Sequence, residues 1–159
     1  MKLSSHGRSL TVANRRWRSR LMLQPLEDRS VPAFVASLVA DVNPGTADSA
    51  PILLEVLNGS ALMMNIDATH GRELWASDGT AAGTVMVKDI NPGSASGLYG
   101  GDRWFTVLDG IGYFPANDGI NGFELWRTDG TEAGTYMVKD INPGLANSDP
   151  RGLELVPER

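Results

Sequence analysis

Residues 73–84, ELWASDGTAAGT, and residues 124–135, ELWRTDGTEAGT, each bring a tryptophan, carboxylates and threonine hydroxyls into a twelve-residue stretch, 51 positions apart. Such residues can do three kinds of chemistry. Trp75 and Trp126 can form aromatic platforms for a carbohydrate, Asp78 and Asp129 can serve as acids or bases, and acids with nearby loop oxygens can hold calcium. Calcium needs roughly six to eight oxygens, usually from several acids at alternating positions of one loop. Here Asp67, Asp89, Asp118 and Asp140 are isolated, and no DxDxDG run exists. Calcium therefore stays open only as a weak ligand of loops such as NDGING, residues 117–122.

Catalysis by a histidine-activated nucleophile or a histidine zinc site has little to draw on. The two histidines are His6 and His70, and His70 aligns with Asn121 in the second copy. The chain has no cysteine, which removes thiol nucleophiles, thiolate metal sites and disulfides. Phosphate-cradling glycine motifs are missing too. Taken alone, the sequence supports no enzyme and no bound cofactor, and it leaves the loops DATHGR and DGINGF, with Asp67, His70, Asp118 and Asn121, as the places where a ligand would be met.

The elements that position these residues repeat with them. Residues 73–93 and 124–144 differ at four of twenty-one positions, and a looser match runs upstream from Ile52 and Arg103 at the same offset. A third start, VADVNPG at residues 39–45, precedes VKDINPG by 48. Within each unit, Asn58-Gly59 and Asp109-Gly110 separate apolar runs and predict two-residue hairpins with positive φ at both central positions. ELW reads as the next strand, DGT as a turn, and VMVKDI or YMVKDI as a fourth strand ended by Asn-Pro-Gly. Alternation along the ELW strand sends Leu74 and Leu125 to one face and the flanking Glu and Trp to the other. The tryptophans then fill space between neighbouring units with their N–H groups bonded to backbone. Lys88-Asp89 and Lys139-Asp140 predict solvated or cross-strand charges.

Four short antiparallel strands per fifty residues predict an all-β chain of propeller-like blades. Units fall at about 39–86, 87–137 and, in part, 138–159. Two blades and a partial third do not close a ring, so the expectation is a truncated or degenerate member of a longer repeat protein, an open or incomplete propeller, or a subunit that self-associates if the chain is complete. The structural residues expected to build and join blades are Leu74, Trp75, Asp78, Gly79, Thr80 and Gly83, with Leu125, Trp126, Asp129, Gly130, Thr131 and Gly134.

Charge divides the chain in two. Residues 1–32 carry seven Lys or Arg against two acids, whereas residues 33–159 carry seven against seventeen. An acidic body argues against nucleic acid as a partner. No stretch approaches the roughly eighteen apolar residues of a membrane-spanning helix. The head, residues 1–32, reads as an export, sorting or disordered segment, and AFVASLVA, residues 33–40, as a strand of the body rather than the apolar core of a secretory signal.

The phrase ELWxSDGTxxGTxxVKDINPG resembles the ELWxxDGT repeat proteins of bacterial surfaces, over residues 39–159. RLMLQPLEDRSVPA, residues 20–33, is similar to the LEPLEDRxxPA segment near the start of many planctomycete surface proteins, with Gln24 in place of the usual Glu. The resemblances imply a β-propeller-like, hyalin-like repeat protein, secreted or at the cell surface, without an established enzymatic activity. Its implied role is a structural, adhesion or interaction scaffold that meets other surface proteins or polysaccharide. The alternative is a calcium- or carbohydrate-binding propeller module, and a propeller-type hydrolase fragment stands behind both.

Overall fold

The computed structural model describes residues 36–100 and 104–153. The basic head, its PLEDR-like segment and the last six residues of the partial third unit lie outside the described residues. The described residues from Ser37 onward belong to one compact unit.

Eight strands form two antiparallel four-stranded sheets in the orders β1-β2-β3-β4 and β5-β6-β7-β8. The first holds β1 (Ile52–Leu57), β2 (Ser60–Asp67), β3 (Gly71–Ser77) and β4 (Val85–Lys88). The second holds β5 (Thr106–Leu108), β6 (Ile111–Asn117), β7 (Phe123–Thr128) and β8 (Tyr136–Lys139). Each strand pairs with its neighbour in sequence, as hairpin connections dictate. The expected tight turns are present: Asn58 and Gly59 have φ of 50° and 84°, and Asp109 and Gly110 have 50° and 75°.

The sheets repeat in register as well as in sequence. Met64 pairs with Leu74 as Pro115 pairs with Leu125, and Trp75 pairs with Met86 as Trp126 pairs with Met137. Even the irregularity in the third ladder recurs, between Leu74 and Trp75 and between Leu125 and Trp126. The first ladder does not repeat so closely: β1 carries a bulge between Leu53 and Glu55 that the shorter β5 lacks.

Alternation gives each sheet a leucine face and a tryptophan face. On the first sheet, Leu62, Met64, Leu74 and Ala76 share a face; on the second, Phe114, Ala116 and Trp126 share the opposite one, and all seven belong to one buried core. The leucine face of the first sheet thus packs on the tryptophan face of the second, with Phe105 stacked on Phe114 at 5.6 Å. At a hairpin tip, Asn58 Nδ2 donates across to Asp129 O at 3.1 Å. Burying one large apolar side chain here contributes about 1.5–3 kcal/mol, so this junction is the main source of tertiary stability.

Only one side of each sheet has such a partner among the described residues. Leu57, Val87 and Ile90 are 3%, 6% and 3% exposed, whereas their copies Leu108, Val138 and Ile141 are 47%, 45% and 53% exposed. Residues 36–51 depart from expectation. The described part of AFVASLVA is not a strand. Among the described residues it has no β3-like neighbour to pair with, and Ser37–Val42 instead runs along the tryptophan face of the first sheet, leaving a groove lined also by Met63, Asn65 and Ser77.

Candidate functional site

The DGT turns engage their own polar groups. Asp78 Oδ1 accepts from the Thr80 N–H at 2.9 Å and the Thr80 hydroxyl at 2.7 Å, and Thr80 Oγ1 accepts from the Gly83 N–H at 2.9 Å. Thr84 Oγ1 donates back to Thr80 O and lies 2.7 Å from Ser77 Oγ. The second copy repeats this with Asp129, Thr131, Gly134, Thr135 and Thr128. Gly79 and Gly130 take φ of 89° and 92°, as the turn requires. Gly83 and Gly134 are needed for another reason: a Cβ at either would overlap the Asp78 or Asp129 carboxylate. Hydrogen bonds from the threonine hydroxyl and N–H hold both aspartates below the usual carboxylate range.

The loops between the second and third strands are also self-contained. Asp67 accepts from the Thr69 and His70 N–H groups, and its Oδ2 lies 2.8 Å from His70 Nδ1. That bond from Asp67 raises the His70 pKa. Asp118 accepts from the Ile120 and Asn121 N–H groups and from Asn121 Nδ2 at 2.7 Å. Partial burial pushes both carboxyls upward, but the local donors outweigh it and leave them below the usual range. Asp67 thus meets His70, and Asp118 meets Asn121, each within one loop. Among the described residues no group of three or more His, Cys, Asp or Glu could hold a metal ion.

The tryptophans differ from each other and from expectation. Trp126 is buried in the junction, which removes it as a platform for a ligand, while Trp75 is half-buried opposite Met63. Neither indole N–H has a protein partner, so the expected bond to backbone is not made. The Lys-Asp pairs form no ion pair; those seen among the described residues are Asp67–His70 and Asp149–Arg151. Lys139 is solvated because its fourth strand is an open edge.

The residue that sequence reasoning missed is the glutamate of ELW. Glu73 is fully buried and accepts N–H bonds from Ile90 at 3.0 Å, Asn91 at 3.3 Å and Gly97 at 2.7 Å. Glu124 does the same for Ile141, Asn142 and Ser148, with the Ser148 hydroxyl added at 2.6 Å. Each glutamate therefore clamps the Asn-Pro-Gly loop at the end of its sheet. Asn91 Nδ2 closes the loop on Ser96 O, as Asn142 does on Asn147 O and Asn43 on Asp48 O. The available signal was the identity of Glu and Asn in both copies at fixed spacing. A glutamate on a strand reads as a solvent-facing residue unless the loop that needs its oxygens is foreseen.

Burial pushes the Glu73 pKa up to about 7, with Asp89 adding to the rise and the three N–H donors opposing it. Glu124 is driven upward by burial too, but the Ser148 hydroxyl and the backbone donors prevail and hold it below the ordinary value. A carboxyl near neutrality suits proton transfer. Glu73, however, is sealed from solvent and encircled by its loop, so its chemistry is structural.

One open cleft carries a different set of side chains. About 390 Å³ in volume, it is lined by Tyr99, Trp104, Pro115, Phe123, Asn147, Asp149 and Arg151. Arg151 lies over the Trp104 ring at 4.6 Å, and Tyr99 meets Phe123 edge-on at 5.7 Å. These residues fall outside the near-identical core of the repeat, where the sequence offers no pattern to flag them. No protein-family model, no curated protein and no solved structure matches this chain.

Proposed function

We propose that this chain is a non-enzymatic scaffold of propeller-like blades, secreted or displayed at the cell surface, and related to the ELWxxDGT repeat proteins it resembles. One observation carries the reading. The polar residues written twice, Glu73, Asp78, Thr80 and Thr84 with Glu124, Asp129, Thr131 and Thr135, are each bonded to backbone or hydroxyl groups of their own sheet and its loop. Side chains engaged in that way build a rigid repeat, which supports a structural part for the phrase written twice. The acidic body and the PLEDR-like head accord with export rather than nucleic-acid contact. Protease treatment of intact cells tests the location: digestion of the tagged chain before lysis is expected, and full protection until lysis contradicts it.

The cleft supports a second reading, a carbohydrate-binding module. Its volume falls within the range of small-molecule sites, and it joins aromatic rings to Asn, Asp and Arg, a combination that stacks on and hydrogen-bonds to a sugar ring. A panel of polysaccharides in affinity electrophoresis is expected to retard the wild type and not Trp104→Ala. Equal migration of the two proteins on every polysaccharide removes this reading and leaves the scaffold intact.

A further inference from the structure

The Asn-Pro-Gly loops do more than end a sheet. Gly97 O, in the loop after the first sheet, accepts the Asn117 N–H of β6 at 2.9 Å and so ties that loop to the next sheet. Ser49 O, in the loop at residues 43–49, accepts the Ile66 N–H of β2 at 2.8 Å. Ile66 and Asn117 are copies of each other, and Asn43 and Asn91 close their loops with the same i to i+5 bond. Residues 37–49, SLVADVNPGTADS, therefore sit on the first sheet as the fourth strand and loop of a preceding unit would. Among the described residues no three strands accompany them. The groove of about 330 Å³ beside Met63, Asn65 and Ser77 marks the incomplete fit, and Val56 on that face is 60% exposed.

At the other end of the stack stands a complete leucine face. Leu108, Val138 and Ile141 are exposed copies of junction residues, and the clamped loop at residues 142–148 has no next sheet to tie to among the described residues. YMVKDINPGLANS, residues 136–148, is the close counterpart of residues 37–49. The molecule thus carries one seat, the tryptophan face of the first sheet, and two segments built to fill it.

We propose that the second sheet of one molecule docks, leucine face first, on the first sheet of a second copy of this chain, in the seat that residues 37–49 cap in cis. The contact reproduces the junction already present within the chain: Leu125, Val138 and Ile141 would share a core with Met63 and Trp75, as Leu74, Val87 and Ile90 share one with Phe114 and Trp126. Two different surfaces are joined, so the association is head-to-tail and grows into a ring or a filament. Residues 37–49 set its strength, because they must give way, as a capping segment does in a repeat protein. The inference stands on the packing of the sheets and is independent of where the protein acts, whereas Pro115 and Asn147 belong to both the docking face and the cleft, so docking and a ligand in the cleft exclude each other.

Light scattering of the full chain over a wide concentration range tests it. The wild type is expected to gain mass with concentration, and Asn43→Ala, which loosens the cap, to associate about tenfold more tightly. Ile141→Glu and Val138→Glu alter exposed side chains and are expected to keep the wild-type circular dichroism and to stay monomeric. Added to wild type, Ile141→Glu should shorten the assemblies, since its own seat remains intact and only its docking face is lost. A monomer at every concentration for both wild type and Asn43→Ala overturns the proposal. So does unchanged association of the two glutamate variants. Ile141→Glu proving inert toward wild type points to like faces pairing and overturns the head-to-tail arrangement.

Discussion

Trp75 and Trp126 hold the same place in their sheets, opposite Met86 and Met137, and yet only Trp126 is buried. Leu74 and Leu125 show the reverse: Leu74 is inaccessible and Leu125 is half-buried. The second and third ladders, the bulge before each tryptophan and the turns are the same in both sheets, and over the ELW strand, DGT turn and fourth strand the local sequence is nearly the same. Burial differs because the first sheet offers its leucine face to the junction and the second its tryptophan face. Secondary structure in this protein is a property of the repeat, whereas stability at each position is a property of the stack.

Side-chain truncation sharpens that contrast most. Trp126→Ala is expected to cost about 3–5 kcal/mol and Leu74→Ala about 2–5 kcal/mol in urea unfolding. Trp75→Ala and Leu125→Ala should each lose less than half as much as the copy in the other sheet. The order of importance of Trp and Leu therefore crosses over between sheets, and a common order in both would break the account.

The glutamates separate the sheets by pH. Glu73, pushed from an ordinary value of 4.5 up to about 7, keeps a proton in the folded chain that the unfolded chain has released over this window. Its contribution to stability is present below 4.5 and lost as pH rises toward about 7, by at most on the order of 3 kcal/mol. Glu124 runs the other way: with its folded pKa lowered, its contribution is present above the ordinary glutamate range and lost as pH falls through the folded value. Urea midpoints against pH for Glu73→Gln should flatten the neutral limb, and those for Glu124→Gln the acid limb. Identical profiles would mean that the two clamps share one environment.

The turns should show no contrast at all. Gly83→Ala and Gly134→Ala each force a Cβ into an aspartate carboxylate of the same turn, and each is expected to cost about 1–3 kcal/mol in the same assay. Losses that differ by more than about 1 kcal/mol would show that the stack reaches the turns as well.

This division explains what the sequence disclosed. The hairpins at Asn58-Gly59 and Asp109-Gly110, the eight strands and the DGT turns were legible because their causes lie within a few residues. The Glu73 clamp was not, since its partners stand 17 to 24 positions downstream in a loop whose repetition shows that it matters but not which side chain its N–H groups meet. The missing strand at Ala36–Ala40 had a similar cause: its residues have β character, but among the described residues no neighbouring strand pairs with them. The unbonded indole N–H groups and the cleft at Trp104 depend on how the sheets and loops pack, which alternation along a strand cannot express.

Native-state hydrogen exchange compares the sheets at matched donors and tests the central claim most directly. The amides of Ile90 and Gly97 bond to Glu73 at 3.0 and 2.7 Å, and those of Ile141 and Ser148 bond to Glu124 at 3.0 and 3.1 Å. At low protein concentration, the first pair is expected to exchange about a hundredfold or more slowly than the second, because its loop is held against the second sheet while the other opens to solvent. Equal protection of the two pairs would mean that the clamp alone fixes the loop, and would contradict the stack as the source of the difference.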